Sequence, residues 1–86
     1  MIQVIAGKKG SGKTKRLIDL ANKSAQESKH DIVFIDDDNR YMFDLSHEVR
    51  FINAGEYNLD NDQMFMGFLA GAVAPNFDVG QICIDG

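Results

Sequence analysis

The chain contains a single cysteine, Cys83, so an internal disulfide framework is excluded, and there are too few thiols for a cysteine-based zinc site. Its two histidines, His30 and His47, fall in different segments, which argues against a histidine metal centre. The longest strongly apolar run, Met64 to Ala74, is too short to span a bilayer. No secretory leader pattern opens the sequence, and the expected setting is reduced, cytoplasmic and soluble, with no membrane partner. Repeats, low-complexity tracts and linkers are also missing. The 86 residues therefore read as one domain, residues 1–86. With 44% apolar and 26% charged residues, the composition is that of a packed domain and not of a disordered tail. A chain of this size buries only about 60% of the surface its unfolded form exposes, so a stable monomer is marginal.

Positive charge is scarce after the first third. Seven Lys/Arg face two acids up to His30, whereas two Arg face eleven acids from Asp31 onward, for a net charge of −4. Five of the cations (Lys8, Lys9, Lys13, Lys15 and Arg16) lie between positions 8 and 16. A solvated helix face accounts for Lys23 and Lys29 but not for that concentration. A basic first third on an acidic chain indicates a local anion site, not a surface that coats nucleic acid. No motif for specific nucleic-acid binding accompanies it.

The apolar run Met1 to Ala6, ended by glycine, predicts a buried strand. Gly7 to Gly12 forms a glycine-rich loop. Lys13 to Ser28 carries Leu17, Leu20, Ala21 and Ala25 at helical spacing, which predicts an amphipathic helix. Ile32-Val33-Phe34-Ile35 is continuous where a half-exposed strand would alternate, as expected when both sheet faces are covered. It runs into Asp36-Asp37-Asp38. Asn39 to His47 predicts a loop with a helical turn, and Glu48 to Asn53 a short strand. A helix capped at Asp60 or Asn61 runs to about Ala74 before Pro75, and Gln81 to Asp85 forms a last apolar strand. The order β-α-β-β-α-β predicts an α/β sandwich with a small, mostly parallel sheet. The Met64–Ala74 helix is apolar almost all round; such a helix is normally buried on every side, and 86 residues cannot supply that much cover. Its Gly67 and Gly71 are expected to allow close packing on the sheet. Tyr41, Phe43 and Tyr57 are expected to pack on the domain, and Cys83 to be inert core.

The chemistry is concentrated in Gly7-Lys8-Lys9-Gly10-Ser11-Gly12-Lys13-Thr14, which fits G-x-x-x-x-G-K-[ST] at every fixed position. The glycines let successive backbone N–H groups point at one centre and form an anion nest. The loop then enters a helix N-terminus, whose unpaired N–H groups and dipole favour phosphate. In that motif Lys13 supplies a point charge for the β- and γ-phosphates and the Thr14 hydroxyl ligates Mg²⁺. A glycine turn that binds nothing is the competing reading, and the strand-loop-helix context weighs against it.

On these residues the chain resembles the P-loop NTPase superfamily, with Gly7 to Thr14 similar to its Walker A motif. The resemblance implies a three-layer P-loop-type sandwich, ATP and Mg²⁺ as ligands, and an apolar strand ending in a metal-holding acid. Two segments qualify for that strand: Ile32 to Asp36 and Ile82 to Asp85. Because the acid-bearing strand follows an intervening element in most P-loop families, Asp85 is favoured and Asp36 is the alternative. The Asp36-Asp37-Asp38 run has two readings, acids touching metal or nucleotide and solvated loop acids. In P-loop kinases and partition-type ATPases an acid after the second strand serves catalysis or metal binding, and Asp36 and Asp38 match it in layout. Lys8 stands where partition-type ATPases carry a signature lysine, but Lys9 replaces the glycine expected next. The late Ile-Cys-Ile-Asp is also similar in layout to type II thymidine kinases. Many ATP-hydrolysing relatives place a Glu after the strand-end acid, where this chain has Gly86.

The resulting expectation is nucleoside triphosphate binding with Mg²⁺-dependent hydrolysis. ATP is the default because no guanine-reading N-K-x-D motif occurs. Gly7 to Thr14 would hold phosphate, Thr14 and Asp85 the metal, and Lys13 and Asp36 would serve catalysis. Two alternatives are an assembly module that holds nucleotide without turnover and a thymidine-kinase-like phosphotransferase. Ending one residue past Asp85, the sequence is expected to be the N-terminal part of a larger domain. Either its missing part or a second copy would cover the apolar helix.

Overall fold

The computed structural model describes residues 2–7, 12–57, 62–74 and 78–85; Lys8 to Ser11 of the glycine-rich loop lie outside the described residues. Four strands and two helices follow one another as β1 (Gln3–Gly7), α1 (Lys13–Glu27), β2 (Asp31–Asp36), β3 (Val49–Asn53), α2 (Asp62–Val73) and β4 (Val79–Asp85). Short 3₁₀ turns at Met42–Asp44 and Ala54–Tyr57 flank β3. The strands form one sheet in the order β1-β4-β2-β3, and every pairing is parallel. The protein is thus a small α/β fold.

Helix α1 begins directly after Gly12, whose φ of 74° lies in the left-handed region where a side chain would be strained. Its apolar stripe, Leu17, Ile18, Ala21 and Ala25, packs on Ile32, Phe34, Val49 and Cys83 of the sheet. Ala21, Phe34 and Cys83 are fully buried there. The opposite face is formed by Val33, Ile35, Val79 and Ile82, with Phe65, Phe68 and Leu69 of α2 packed against it. Strand β2 is buried without interruption from Ile32 to Asp36 because helices cover it on both sides, which explains its continuous apolar run. Cys83 lies within this core, and burial pushes its thiol up to about 11 from an ordinary 9.0.

Helix α2 is covered on one side only. It packs one half-buried stripe, Phe65, Phe68 and Leu69 at i, i+3 and i+4, on the sheet and leaves Met64 43% and Met66 63% exposed. The physical reason is the single sheet face available to it, which can receive only one side of a helix. Gly67 and Gly71 do not pack closely on the sheet either: a Cβ at either position would meet no described atom within 4 Å. Among the loop aromatics, Tyr41 packs against the α1 core and Tyr57 lies 5.0 Å from the Phe68 ring. Phe43, at 89% exposure, does not pack on the domain as expected. Edge strand β1 is covered on its α1 face through Ile5 but leaves Val4 exposed on the other. Among the described residues no helix is long and apolar enough to cross a membrane.

Candidate functional site

The parallel register brings the strand ends into one row. Gly7 pairs with Asp85, Ile84 with Ile35, and Asp36 with Asn53, so Gly7, Asp85, Asp36 and Asn53 line the carboxyl edge in that order. In open parallel sheets this edge is where ligands bind, because the connections that leave it diverge to either face. The glycine-rich loop starts from the same edge, at Gly7.

Thr14, in the first turn of α1, donates its hydroxyl to Asp85 Oδ1 at 3.3 Å. The two residues are far apart in sequence and meet because β4 inserts beside β1. Asp85 is 3% exposed, and its second oxygen, Oδ2, is buried with no hydrogen-bond partner among the described residues. A buried carboxylate oxygen left in this state is costly, which makes it a strong acceptor for a cation or a proton donor. Thr14 and Asp85 therefore fit a hard, oxygen-seeking cation. Mg²⁺ commonly takes one or two protein oxygens and completes its shell with phosphate and water.

Asp36 is also buried, at 1% exposure, and its Oδ1 accepts the Asp37 N–H at 2.7 Å. One carboxylate oxygen from each of Asp36, Asp37 and Asp38 falls within 4.8 Å of the others. Asp38 has a local role as well: its Oδ1 accepts the Arg40 N–H at 2.9 Å and so shapes the turn. Asn53 ties this loop to β3, donating from Nδ2 to Asn39 Oδ1 at 3.0 Å while its Oδ1 accepts the Gly55 N–H at 3.0 Å. Gly55 is required there because a Cβ would run into the Asp37 carbonyl oxygen. A cavity of about 230 Å³ opens at this edge, bordered by Asp36, Asp37, Gly55, Phe65 and Asp85.

Lys13 is exposed and borders a separate shallow groove with Ile5, Ala6, Gly7 and Arg16. Thr14, one residue on, borders none of that groove and reaches Asp85 instead. The structure thus brings together Thr14 with Asp85 and sets Asp36 beside them on the neighbouring strand end. It does not bring Lys13 to the cavity that Asp36 borders. Lys8, Lys9, Gly10 and Ser11 fall outside the described residues. His30 pairs with Asp78 at 3.0 Å and does not converge with His47.

A larger cavity, about 610 Å³, lies between the start of α1 and the segment around the Met42–Asp44 turn. Sequence reasoning did not find it. Its outer wall is held by Asn22, which donates from Nδ2 to the Asp44 carbonyl at 3.0 Å and accepts the Ser46 N–H at Oδ1 at 2.7 Å. One polar residue on a helix that otherwise reads as amphipathic carries no local signal of that role. Compared with family models, curated proteins and solved structures, the chain has no significant match in any of the three.

Proposed function

We propose that this protein binds a nucleoside triphosphate, with ATP as the default, at Gly7 to Thr14, and hydrolyses it in a Mg²⁺-dependent way. The observation that carries the reading is the contact between Thr14 and Asp85, which joins the last residue of the octapeptide to the acid of the adjacent strand. Support also comes from the left-handed Gly12 at the mouth of α1, where the loop meets the helix N-terminus. This is the arrangement expected of a P-loop NTPase.

In this reading the loop N–H groups and the α1 terminus bind the phosphates, and Lys13 neutralises their charge. Thr14 and Asp85 would hold Mg²⁺, which when bound neutralises charge on the β- and γ-phosphate oxygens. Asp36 supplies a second carboxylate on the neighbouring strand end, in the place of the base that Gly86 cannot provide. A phosphoryl acceptor other than water is the second reading, favoured by the 610 Å³ cavity that Thr14 also borders.

Steady-state phosphate release with Mg·ATP, alone and with hydroxyl acceptors, tests both readings. Release that Lys13→Ala abolishes supports hydrolysis, and release or product that appears only with an acceptor supports transfer. Tight nucleotide binding with neither would indicate an assembly module. Lys13→Ala should weaken nucleotide binding at least tenfold, on the scale of about 1.5–3 kcal/mol for a charged hydrogen bond. Equal affinities by calorimetry would overturn the phosphate site. Lys13 is exposed, so the substitution leaves the fold intact.

A further inference from the structure

We infer that the 610 Å³ cavity between α1 and the Met42–Asp44 turn is a nucleoside site, taking a flat heterocycle and its sugar with the phosphate end directed to Thr14. The inference rests on the proposed phosphate site for that direction alone. The cavity is within the size range of small-molecule sites. Its lining has two chemically distinct parts. Ile18 and the Tyr41 ring offer apolar surface; Tyr41 packs against the α1 core, and the exposed Arg40 guanidinium lies 6.0 Å from its ring centroid. A half-buried, fixed aromatic ring is suited to stacking on a planar heterocycle.

The second part of the lining is polar and uncommitted. Asp19 and Asp44 border the cavity, and neither carboxylate has an ion pair or hydrogen bond to a described residue. Two carboxylates repel an anion and accept hydrogen bonds from hydroxyl or amino groups, so the part of the ligand between them is neutral and rich in donors. Thr14 and Lys15 form the opposite end, where a cation and the helix N-terminus favour negative charge. A donor-rich, flat, neutral body with an anionic end is the description of a nucleoside phosphate. Asn22 makes the cavity a built feature, because its two hydrogen bonds hold the Asp44 carbonyl and the Ser46 N–H in place across from the helix.

The nucleoside could belong to the bound triphosphate or to a second substrate beside it. Calorimetric titration of the full chain with the four common ribonucleoside triphosphates, with inorganic triphosphate, and with free nucleosides in its presence and absence separates the two. If the nucleoside belongs to the triphosphate, one nucleotide binds at least tenfold tighter than inorganic triphosphate, and Tyr41→Ala and Asp44→Asn both erase the difference. If it belongs to a second substrate, nucleotide and inorganic triphosphate bind alike, and a free nucleoside binds beside them with the same sensitivity. No nucleoside contribution in either arm, or one that survives both substitutions, overturns the inference. Asp44→Asn keeps the test valid if Tyr41→Ala fails to fold, because the Asp44 side chain is exposed and Asn22 holds only its backbone. Failure of inorganic triphosphate to bind would count against the phosphate site, while nucleoside binding lost in Asp44→Asn would still uphold the cavity.

Discussion

Thr14 and Asp85 stand 71 positions apart and are joined by one hydrogen bond, from the threonine hydroxyl to the aspartate carboxylate, at 3.3 Å. The bond uses only one oxygen of Asp85. The other is buried and has no described partner. The neighbouring acid, Asp36, likewise has one oxygen engaged, but by the Asp37 N–H of its own loop, so what sets Asp85 apart is its direct contact with Thr14 of the octapeptide.

Asp85→Asn is accordingly expected to reduce the Mg²⁺ dependence of nucleotide binding more than Asp36→Asn does. Titrating nucleotide at several Mg²⁺ concentrations with each variant measures this. A larger effect from Asp36→Asn would transfer the metal-holding role to β2.

The core makes a sharper stability prediction. Phe34 is fully buried at the centre of the sheet and stacks on Phe51 at 6.4 Å. Phe34→Ala should cost about 3–5 kcal/mol, enough to unfold much of so small a domain. Met66→Ala, on the exposed side of α2, should change stability by less than about 0.5 kcal/mol. Urea denaturation of both variants checks the contrast, and similar losses would show that α2 is covered on its outer side.

Cys83 provides a test by chemistry. A thiol held up to about 11 by burial is neutral at pH 8 and shielded, so a thiol reagent should label it only after denaturant is added. The linkage has a definite sign. Between 9.0 and about 11 the unfolded thiol ionises while the folded one stays protonated, so its contribution to stability falls as pH rises through that window. A Cys83→Ala variant should lack this component in a urea series from pH 8 to 11.

Self-association is expected in solution. Strand β1 is a sheet edge with no charged residue along Gln3–Gly7, and Val4, at 56% exposure, lies on its uncovered face. Met64 and Met66 add exposed apolar surface on α2. Unguarded edges and apolar patches of this kind favour pairing with a second copy. Sedimentation equilibrium at high micromolar concentration should give a mass above 9.6 kDa, and a single species at that mass would rule the association out.

Local pattern in the sequence determined the elements. The 3.6-residue spacing of Leu17, Ala21 and Ala25 marks α1, and the unbroken Ile32 to Ile35 run marks a strand covered on both faces, since each signal is written in adjacent residues. The octapeptide was legible for the same reason, and so was the strand-end position of Asp36 and Asp85. Strand order was not, because no short stretch records which strand lies beside which. Only the tertiary structure places β4 between β1 and β2 and so sets Asp85 against Thr14 with Asp36 next in line. The same limit hid the cavity held by Asn22, whose partners lie in a segment joined to it only through folding. Helix α2 divides the same way: its all-round apolar composition already marked it as needing more cover than 86 residues supply, and only the tertiary structure decided that the one sheet face receives the Phe65, Phe68 and Leu69 stripe.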